Sequence, residues 1–401
     1  MVIENIYNKD FIAGKDEISR RIKALKKELA LNGIDYAVIL QSSDIFYFTG
    51  IVQQGAVIIS SDSDDVFLVK KNFQLAKKYS NFPYIQPLTS LKEIKNFVKK
   101  DKTAGFEADV VPYGTVKFYS KLIGCSKVVD ISNLIKKVRE VKSRFEISFI
   151  KKAAHQLKIL VKELPKRIKS GMRENEVFNE GISILMENGH QGYTKMRGFN
   201  QEMFFGHVLS GEKGNVSSYI DAPTNGSGIY PSFPQGSCTD ILQKGSLLSV
   251  DLVGCFNGYH ADQTRAFALG DIDGEFYDYF QKAVEIEHET VDFIKPGITW
   301  EDAYFKALST AKKLHVEDFF MGSEYKVKFV GHGVGVEVNE FPFIAPGFKR
   351  EFKKNMVFAI EPKLFLKGKG VVGIENTFEV TEKGCEKITD VEDKIFYLRF
   401  S

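Results

Sequence analysis

Apolar residues recur at helical spacing near the start of the chain. Ile18, Ile22, Leu25 and Leu29 mark one face of a helix predicted over 17–32, with Asp16 as its cap and Gly33 as its stop. Short β-rich runs follow at 36–40, 45–48, 56–59 and 66–69, punctuated by Gly50, Gly55 and the SSDSDD stretch at 60–65. A helix near 91–100 and one more strand-like piece complete an α/β unit that carries no recognisable chemistry. The charged segment KKVREVKSR at 136–144 reads as a linker. A long helix is predicted from about Ser143, with Ile147, Ile150, Leu157 and Leu160 on one face. The pattern thus divides the chain into domains at 1–140 and 141–401.

The second domain contains a faint repeat. KSGMRENEVF at 169–178 resembles KPGITWEDAYF at 295–305, with Lys169, Gly171, Met172, Glu176 and Phe178 matching Lys295, Gly297, Ile298, Asp302 and Tyr304 at a constant offset. Each copy reads as a helix end, a tight turn and a new helix. Predicted strands follow at 203–209 and 247–268 after the first copy, and at 327–330 and 356–380 after the second. A helix-helix-sheet half occurring twice implies a pseudo-symmetric domain, and the period is too long for a solenoid.

Composition changes this picture little. The chain has 401 residues, 43% hydrophobic and 27% charged, with a net charge of +3, enough apolar residues for a sizeable core. Basic pairs such as Lys26-Lys27, Lys99-Lys100 and Lys312-Lys313 are scattered among acids, so no nucleic-acid stripe is expected. No apolar run approaches the ~20 residues of a membrane helix. The opening MVIENIYNKDF lacks an apolar signal core, so a cytoplasmic location is expected. Cys125, Cys238, Cys255 and Cys385 form no CxxC and read as free thiols in a reducing compartment, with Cys255 as strand packing.

The chemistry lies where the apolar pattern is interrupted. In SLLSVDLVGCFNGYHADQTRAFALG at 246–270, Asp251 sits inside a strand-like run of Leu247, Leu248, Val250, Leu252 and Val253. A carboxylate there is costly unless it is paired or bound to metal. Asp262 follows beyond a Gly254…Gly258 hairpin that brings both acids to neighbouring positions. An ion pair with Arg265 is the simpler alternative. In FVGHGVGVEVNEFP at 329–342, glycines flank His332 on both sides, which serves close backbone approach rather than a strand. In NMVFAIEPKLF at 355–365, Glu361 ends an apolar run before Pro362, and in GVVGIENTFEVTEKG at 370–384 Glu375 sits in another apolar strand. Four such carboxylates share counter-charge most simply as ligands of two divalent cations, with His332 supplying a neutral nitrogen. Manganese, iron, cobalt and zinc all suit that donor set. Two ions ~3.5–4 Å apart would activate a water and polarise a carbonyl, which points to hydrolysis.

These segments resemble the methionine aminopeptidase, prolidase and aminopeptidase P family, which has the pita-bread fold. The family pattern is an Asp, a second Asp in a GYxxDxTRxF context, a GHGxG histidine, a Glu before Pro and a final Glu; all five positions are filled over about 145–390. RRIKALKKELALNGIDYAVI and FYFTG in the first domain resemble the N-terminal domain of prolidases, aminopeptidases P and creatinases. The resemblance implies an α/β (α+β) chain whose pseudo-symmetric pita-bread domain follows a smaller α/β domain. It implies that Asp251 binds one metal, that Asp262 and Glu375 bridge, and that His332 and Glu361 hold the second metal, with Glu361 also the general base. Manganese stands ahead of cobalt, iron and zinc. A homodimer is implied as well, because many two-domain relatives wall a partner's site with the N-terminal domain.

Two positions depart from the family. Its HExP histidine is here Asn339, and its Pro-His-Gly histidine is Gln235 in FPQG. Amides hydrogen-bond but cannot titrate. His207 is a candidate to take over a proton role, and the Gly/Ser/Pro-rich loop at 211–233 to reshape the pocket. The first expectation is therefore a metal-dependent Xaa-Pro aminopeptidase or dipeptidase acting on peptides. The alternatives are a lyase or hydrolase of a small non-peptide substrate at the same site, or a binding protein with a residual site, which the intact ligand set disfavours.

Overall fold

The computed structural model describes residues 7–201, 205–322 and 324–400. They form two compact units, the first reaching Arg139 and taking in Arg197–Asn200, the second comprising Glu140–Met196 and Gln201–Ser401. No helix among the described residues is long and apolar enough to cross a membrane.

In the first unit, α1 (Lys15–Leu31) buries Ile18, Ile22, Leu25 and Leu29. Its N-cap is Gly14 rather than Asp16, which lies in the first turn, and Gly33 closes the other end in the left-handed region. The strands are β1 (Tyr36–Ile39), β2 (Gly55–Ser60), β3 (Val66–Val69), β4 (Ile85–Pro87), β5 (Thr103–Phe106) and β6 (Lys127–Asp130), in the order β4-β3-β2-β1-β5-β6. Helices α2 (Ser42–Thr49), α3 (Phe73–Tyr79), α4 (Tyr113–Ile123) and α5 (Ser132–Arg139) connect or flank them. The run 45–48, expected as a strand, lies within α2. Gln41 caps that helix by accepting from the Asp44 amide (2.8 Å), and Gly50 ends it at φ 78°. The fully buried Asp44 carboxylate pairs with Arg139 (2.6 Å) and Arg197 (2.8 Å), an anchor that β-rich composition does not reveal. The expected helix at 91–100 is only a 3-10 segment, Leu91–Phe97.

The segment expected as a linker spans the boundary between the two units and carries buried charge. Arg139, Glu140 and Lys142 are buried. Glu140 pairs with Arg350 and Lys353, and Lys142 with Glu340 at 2.7 Å. These buried charges are thus each met by opposite charge.

The second unit begins with α6 (Arg144–Glu163). Ser143 Oγ accepts from the Glu146 amide while the Glu146 carboxylate accepts from the Ser143 amide, a reciprocal capping box. α7 (Glu174–Glu187) leads to β7 (Gly206–Ser210), β8 (Leu247–Phe256) and β9 (Tyr259–Leu269); α8 (Gly274–Phe293) and α9 (Trp300–Lys313) lead to the second set. That set comprises β10 (Gly331–Gly333), β11 (Glu340–Ile344), β12 (Val357–Ile360), β13 (Lys363–Leu366), β14 (Gly370–Gly373), β15 (Asn376–Val380) and β16 (Cys385–Lys387), with β17 (Ile395–Leu398) at the end. One sheet has the order β17-β9-β8-β7 and the other β11-β10-β12-β15-β16, with β13 and β14 a separate pair. Positions 203 and 204 of the first predicted strand lie outside the described residues. The strand expected at 327–330 instead starts at Gly331. The run 356–380 is broken into four strands, so Glu361 and Glu375 stand at strand boundaries rather than inside strands.

The repeat is structural. Gly171 (φ 84°) and Gly297 (φ 93°) make equivalent turns. Arg173 bridges Ile241 as Thr299 bridges Glu351, and the Glu174 and Trp300 amides donate to Asp240 and Arg350 carbonyls at matching positions. α8, α9 and the second sheet share a core around Trp300, Phe358, Phe378 and Ile360.

Candidate metal centre

β8 and β9 form a hairpin whose two-residue turn is Asn257-Gly258, both at positive φ. That is the backbone a tight, right-twisted hairpin requires. Gly254 is therefore not part of the turn. It lies within β8, where a Cβ would come within 2.3 Å of the Ala153 carbonyl of α6. Asp251 pairs with Thr264 and Val253 with Asp262. Strand alternation puts Asp251, Asp262 and Thr264 on one face.

The other side chains come from the second sheet. Thr264 meets Glu375 through an isolated bridge, and Thr377 Oγ1 clasps the backbone of Asp262 by accepting from its amide and donating to its carbonyl. His332, on β10, lies between Phe343 of β11 and Ala359 of β12. Cβ atoms at Gly331 and Gly333 would sit 2.2–2.3 Å from the Ala359 and Phe341 carbonyls, which explains the flanking glycines. His332 Nε2 is 4.0 Å from Asp262 Oδ2, 3.6 Å from Glu361 Oε1 and 3.9 Å from Glu375 Oε1. Its Nδ1 contacts the Gly333 carbonyl at 3.3 Å, an arrangement that leaves Nε2 free to accept. Asp262, His332 and Glu375 form a group able to hold a metal ion. Glu375 Oε1 is buried without a hydrogen-bond partner.

The far side of the cluster holds a residue that the sequence reading passed over. Lys363, fully buried, extends Nζ to 3.1 Å from Asp251 Oδ2, 3.3 Å from Glu375 Oε2 and 3.9 Å from Glu361 Oε2, and donates to Thr264 Oγ1. The signal was present in KLFL after Glu-Pro, where a cation interrupts an apolar run as Asp251 does. The alternative partner, Arg265, faces away. It donates to the Thr264 and Glu375 carbonyls, to Asn376 and to Asp393.

Burial and crowding set the protonation of the cluster. Desolvation, then neighbouring carboxylates, push Asp262 and Glu361 well above the usual carboxylate range. Glu375 is pushed by burial to about 7 despite Lys363. Burial would also raise Asp251, but Lys363 and His207 outweigh it and hold the carboxyl low. Lys363 moves up, its burial overcome by Asp251, Glu375 and Glu361. Burial pushes His332 down, favouring the neutral, metal-binding form.

His207 on β7 pairs in register with Asp251. Its Nε2 is 2.9 Å from Thr224 Oγ1 and 3.7 Å from Asp251 Oδ2, and burial lowers its proton affinity. The loop at 211–233 thus reaches the cluster through Thr224. Gln235 is not brought to the carboxylates by any direct contact. It is buried, with Oε1 unpaired, and lines a cavity of ≈ 370 Å³ with Phe178, Ile229, Tyr230 and Phe233. Asn339 is half-buried in the turn between β10 and β11. Glu340 beside it is taken up by Lys142.

Residues 148–382 match the family described as metallopeptidase family M24, and residues 21–141 match the creatinase/prolidase N-terminal domain. The Xaa-Pro dipeptidase of Pyrococcus furiosus is 26% identical over 381 residues, covering 94% of this chain and 100% of the relative. The prolidase structure from Pyrococcus horikoshii OT3 has a TM-score of 0.78 at 23% identity, covering 93% of this chain and 98% of that one. The Xaa-Pro dipeptidase structure from Bacillus anthracis has a TM-score of 0.80 at 22% identity, covering 95% and 100%. The two structural likenesses establish the shared two-domain α/β fold.

Proposed function

The chain belongs to metallopeptidase family M24, and on that premise we propose that it is a metal-dependent peptidase cleaving Xaa-Pro bonds of dipeptides or peptide N-termini. The observation that carries the metal dependence is Glu375 Oε1, a buried and unpartnered carboxylate oxygen facing His332 Nε2 beside Asp262. A buried carboxylate oxygen without a hydrogen bond calls for a proton or a cation, and the neutral imidazole nitrogen facing this one favours a cation that both can bind. The donor set of Asp262, His332, Glu361 and Glu375, oxygen-rich with one imidazole, fits a divalent ion. Manganese, cobalt, iron and zinc are all candidates, and manganese is the first to try. Such an ion, once bound, supplies an activated water and a site that polarises the scissile carbonyl. Asp251 belongs to the same centre and was expected to face a second ion.

Glu361 is the proposed general base. It lies 3.6 Å from the ligand nitrogen of His332, and burial and the neighbouring Glu375 raise its proton affinity above that of an ordinary carboxylate, the direction a proton acceptor needs. Asn339 and Gln235 can orient a substrate but not carry its proton. His207, aimed at Asp251 and held by Thr224, is the proposed substitute. We assign catalysis to 141–401 and a supporting role to 1–140. The four free cysteines suit a reducing, cytoplasmic setting.

The test is a panel of Xaa-Pro dipeptides and longer peptides with proline second, assayed on chelator-stripped protein reloaded with each metal. Cleavage before proline, abolished by chelator and restored by metal, is expected. No cleavage anywhere in the panel by metal-loaded protein would overturn the substrate assignment.

A further inference from the structure

We propose that the Lys363 ammonium is the resident second cation of this centre, so that the chain binds one divalent ion, on the His332 side, rather than two. The inference rests on the metal-centre reading above and deepens it. The cluster divides into two halves atom by atom. Glu375 turns Oε1 toward His332 Nε2 at 3.9 Å and Oε2 toward Lys363 Nζ at 3.3 Å. Glu361 divides the same way, Oε1 at 3.6 Å from His332 and Oε2 at 3.9 Å from Lys363. Asp251 Oδ2 lies on the lysine side, 3.1 Å from Nζ. Each half therefore holds carboxylate oxygens converging on one point. In one half that point borders the His332 imidazole nitrogen; in the other it is filled by an ammonium.

The filling is complete in hydrogen-bond terms. A lysine ammonium has three N–H donors. Those of Lys363 reach Asp251 Oδ2, Glu375 Oε2 and Thr264 Oγ1. Thr264 in turn donates to Glu375 Oε2 at 2.9 Å. Asp251 Oδ2 and Glu375 Oε2, which face this side, are thus committed to a covalently tethered cation. Charge points the same way. Four carboxylates are offset by one divalent ion and one ammonium to a single residual negative charge. A second divalent ion held by the same oxygens would add like charge beside the ammonium. Lys363 cannot swing away cheaply either, since it is fully buried and its strand pairs with β14.

Metal counting tests this directly. Wild-type protein is stripped, reloaded with Mn(II) and measured by elemental analysis, isothermal titration and electron paramagnetic resonance. One ion per chain with an uncoupled manganese signal is expected, and His332→Ala should weaken its binding by roughly 100-fold or more. Lys363→Met and Lys363→Gly, checked for folding by circular dichroism, should each gain a second ion and an exchange-coupled signal. Two ions per wild-type chain would overturn the proposal and leave the peptidase reading standing. Folded Lys363 variants that still bind only one ion would also overturn it. A wild-type chain that binds no ion at all would overturn the metal-centre reading itself.

Discussion

Four acidic residues and one histidine announced the centre because each contradicts its surroundings. A carboxylate in an apolar run needs a partner, and the partners turned out to be spatial neighbours from both sheets. Asp262 and Glu375 together face His332, so Asp262→Ala or Glu375→Ala is expected to abolish stable metal binding in a dialysis and elemental assay; full occupancy in either variant would contradict their proposed role. The amides at Asn339 and Gln235 lead to a second expectation. A positioned acid or base is worth ~10²–10⁴ in rate, so wild-type turnover of Xaa-Pro dipeptides should be weak unless His207 substitutes. His207→Ala then lowers kcat, and Asn339→His raises Xaa-Pro hydrolysis. Strong wild-type activity untouched by His207→Ala would show that neither imidazole matters. Lys363 escaped notice because a lone lysine normally lies at the surface, and only the fold reveals that this one is enclosed.

Elements were legible where periodicity and end signals agreed. α1, α6 and the β8–β9 hairpin fall close to their expected places, whereas α2 was expected as a strand because four β-prone residues cannot show a cap made by Gln41 and an anchor made by Asp44. The capping box of α6 gives a simple check. Ser143→Ala removes one half of it and should cost about 1 kcal/mol, read as a lowered midpoint in denaturant at unchanged slope. A pH effect belongs to α8 and β15. Glu287, fully buried and hydrogen-bonded by Asn376, is pushed by burial and by Asp393 from an ordinary 4.5 to about 7. The folded state therefore binds this proton more tightly than the unfolded chain. Its contribution is complete below about pH 4.5 and is lost as pH rises through about 7. Glu287→Gln should flatten the fall in Tm across that window and raise Tm at pH 8; an unchanged profile would count against the assignment.

At the scale of the whole molecule, the site lies within the second compact unit, framed by that unit's internal duplication. The duplication places an α-hairpin before each sheet, and the sheets meet at Thr264 and Glu375, where the carboxylates gather. The family resemblance carries a further expectation of a homodimer. Size-exclusion chromatography with light scattering should give twice the chain mass at micromolar concentration, and a monomer would refute it.

The sequence by itself determined the class of fold and the family, and it marked the acidic residues expected at the centre, because buried charge in an apolar run is a local anomaly visible without coordinates. Tertiary structure alone decided how those charges are apportioned. Which oxygen of Glu375 meets His332 and which meets Lys363, whether Arg265 pairs inward or outward, and whether the segment at 136–144 is solvated all depend on contacts between residues distant along the chain. Electrostatic energy follows distance in space, and strand register, not sequence spacing, sets that distance.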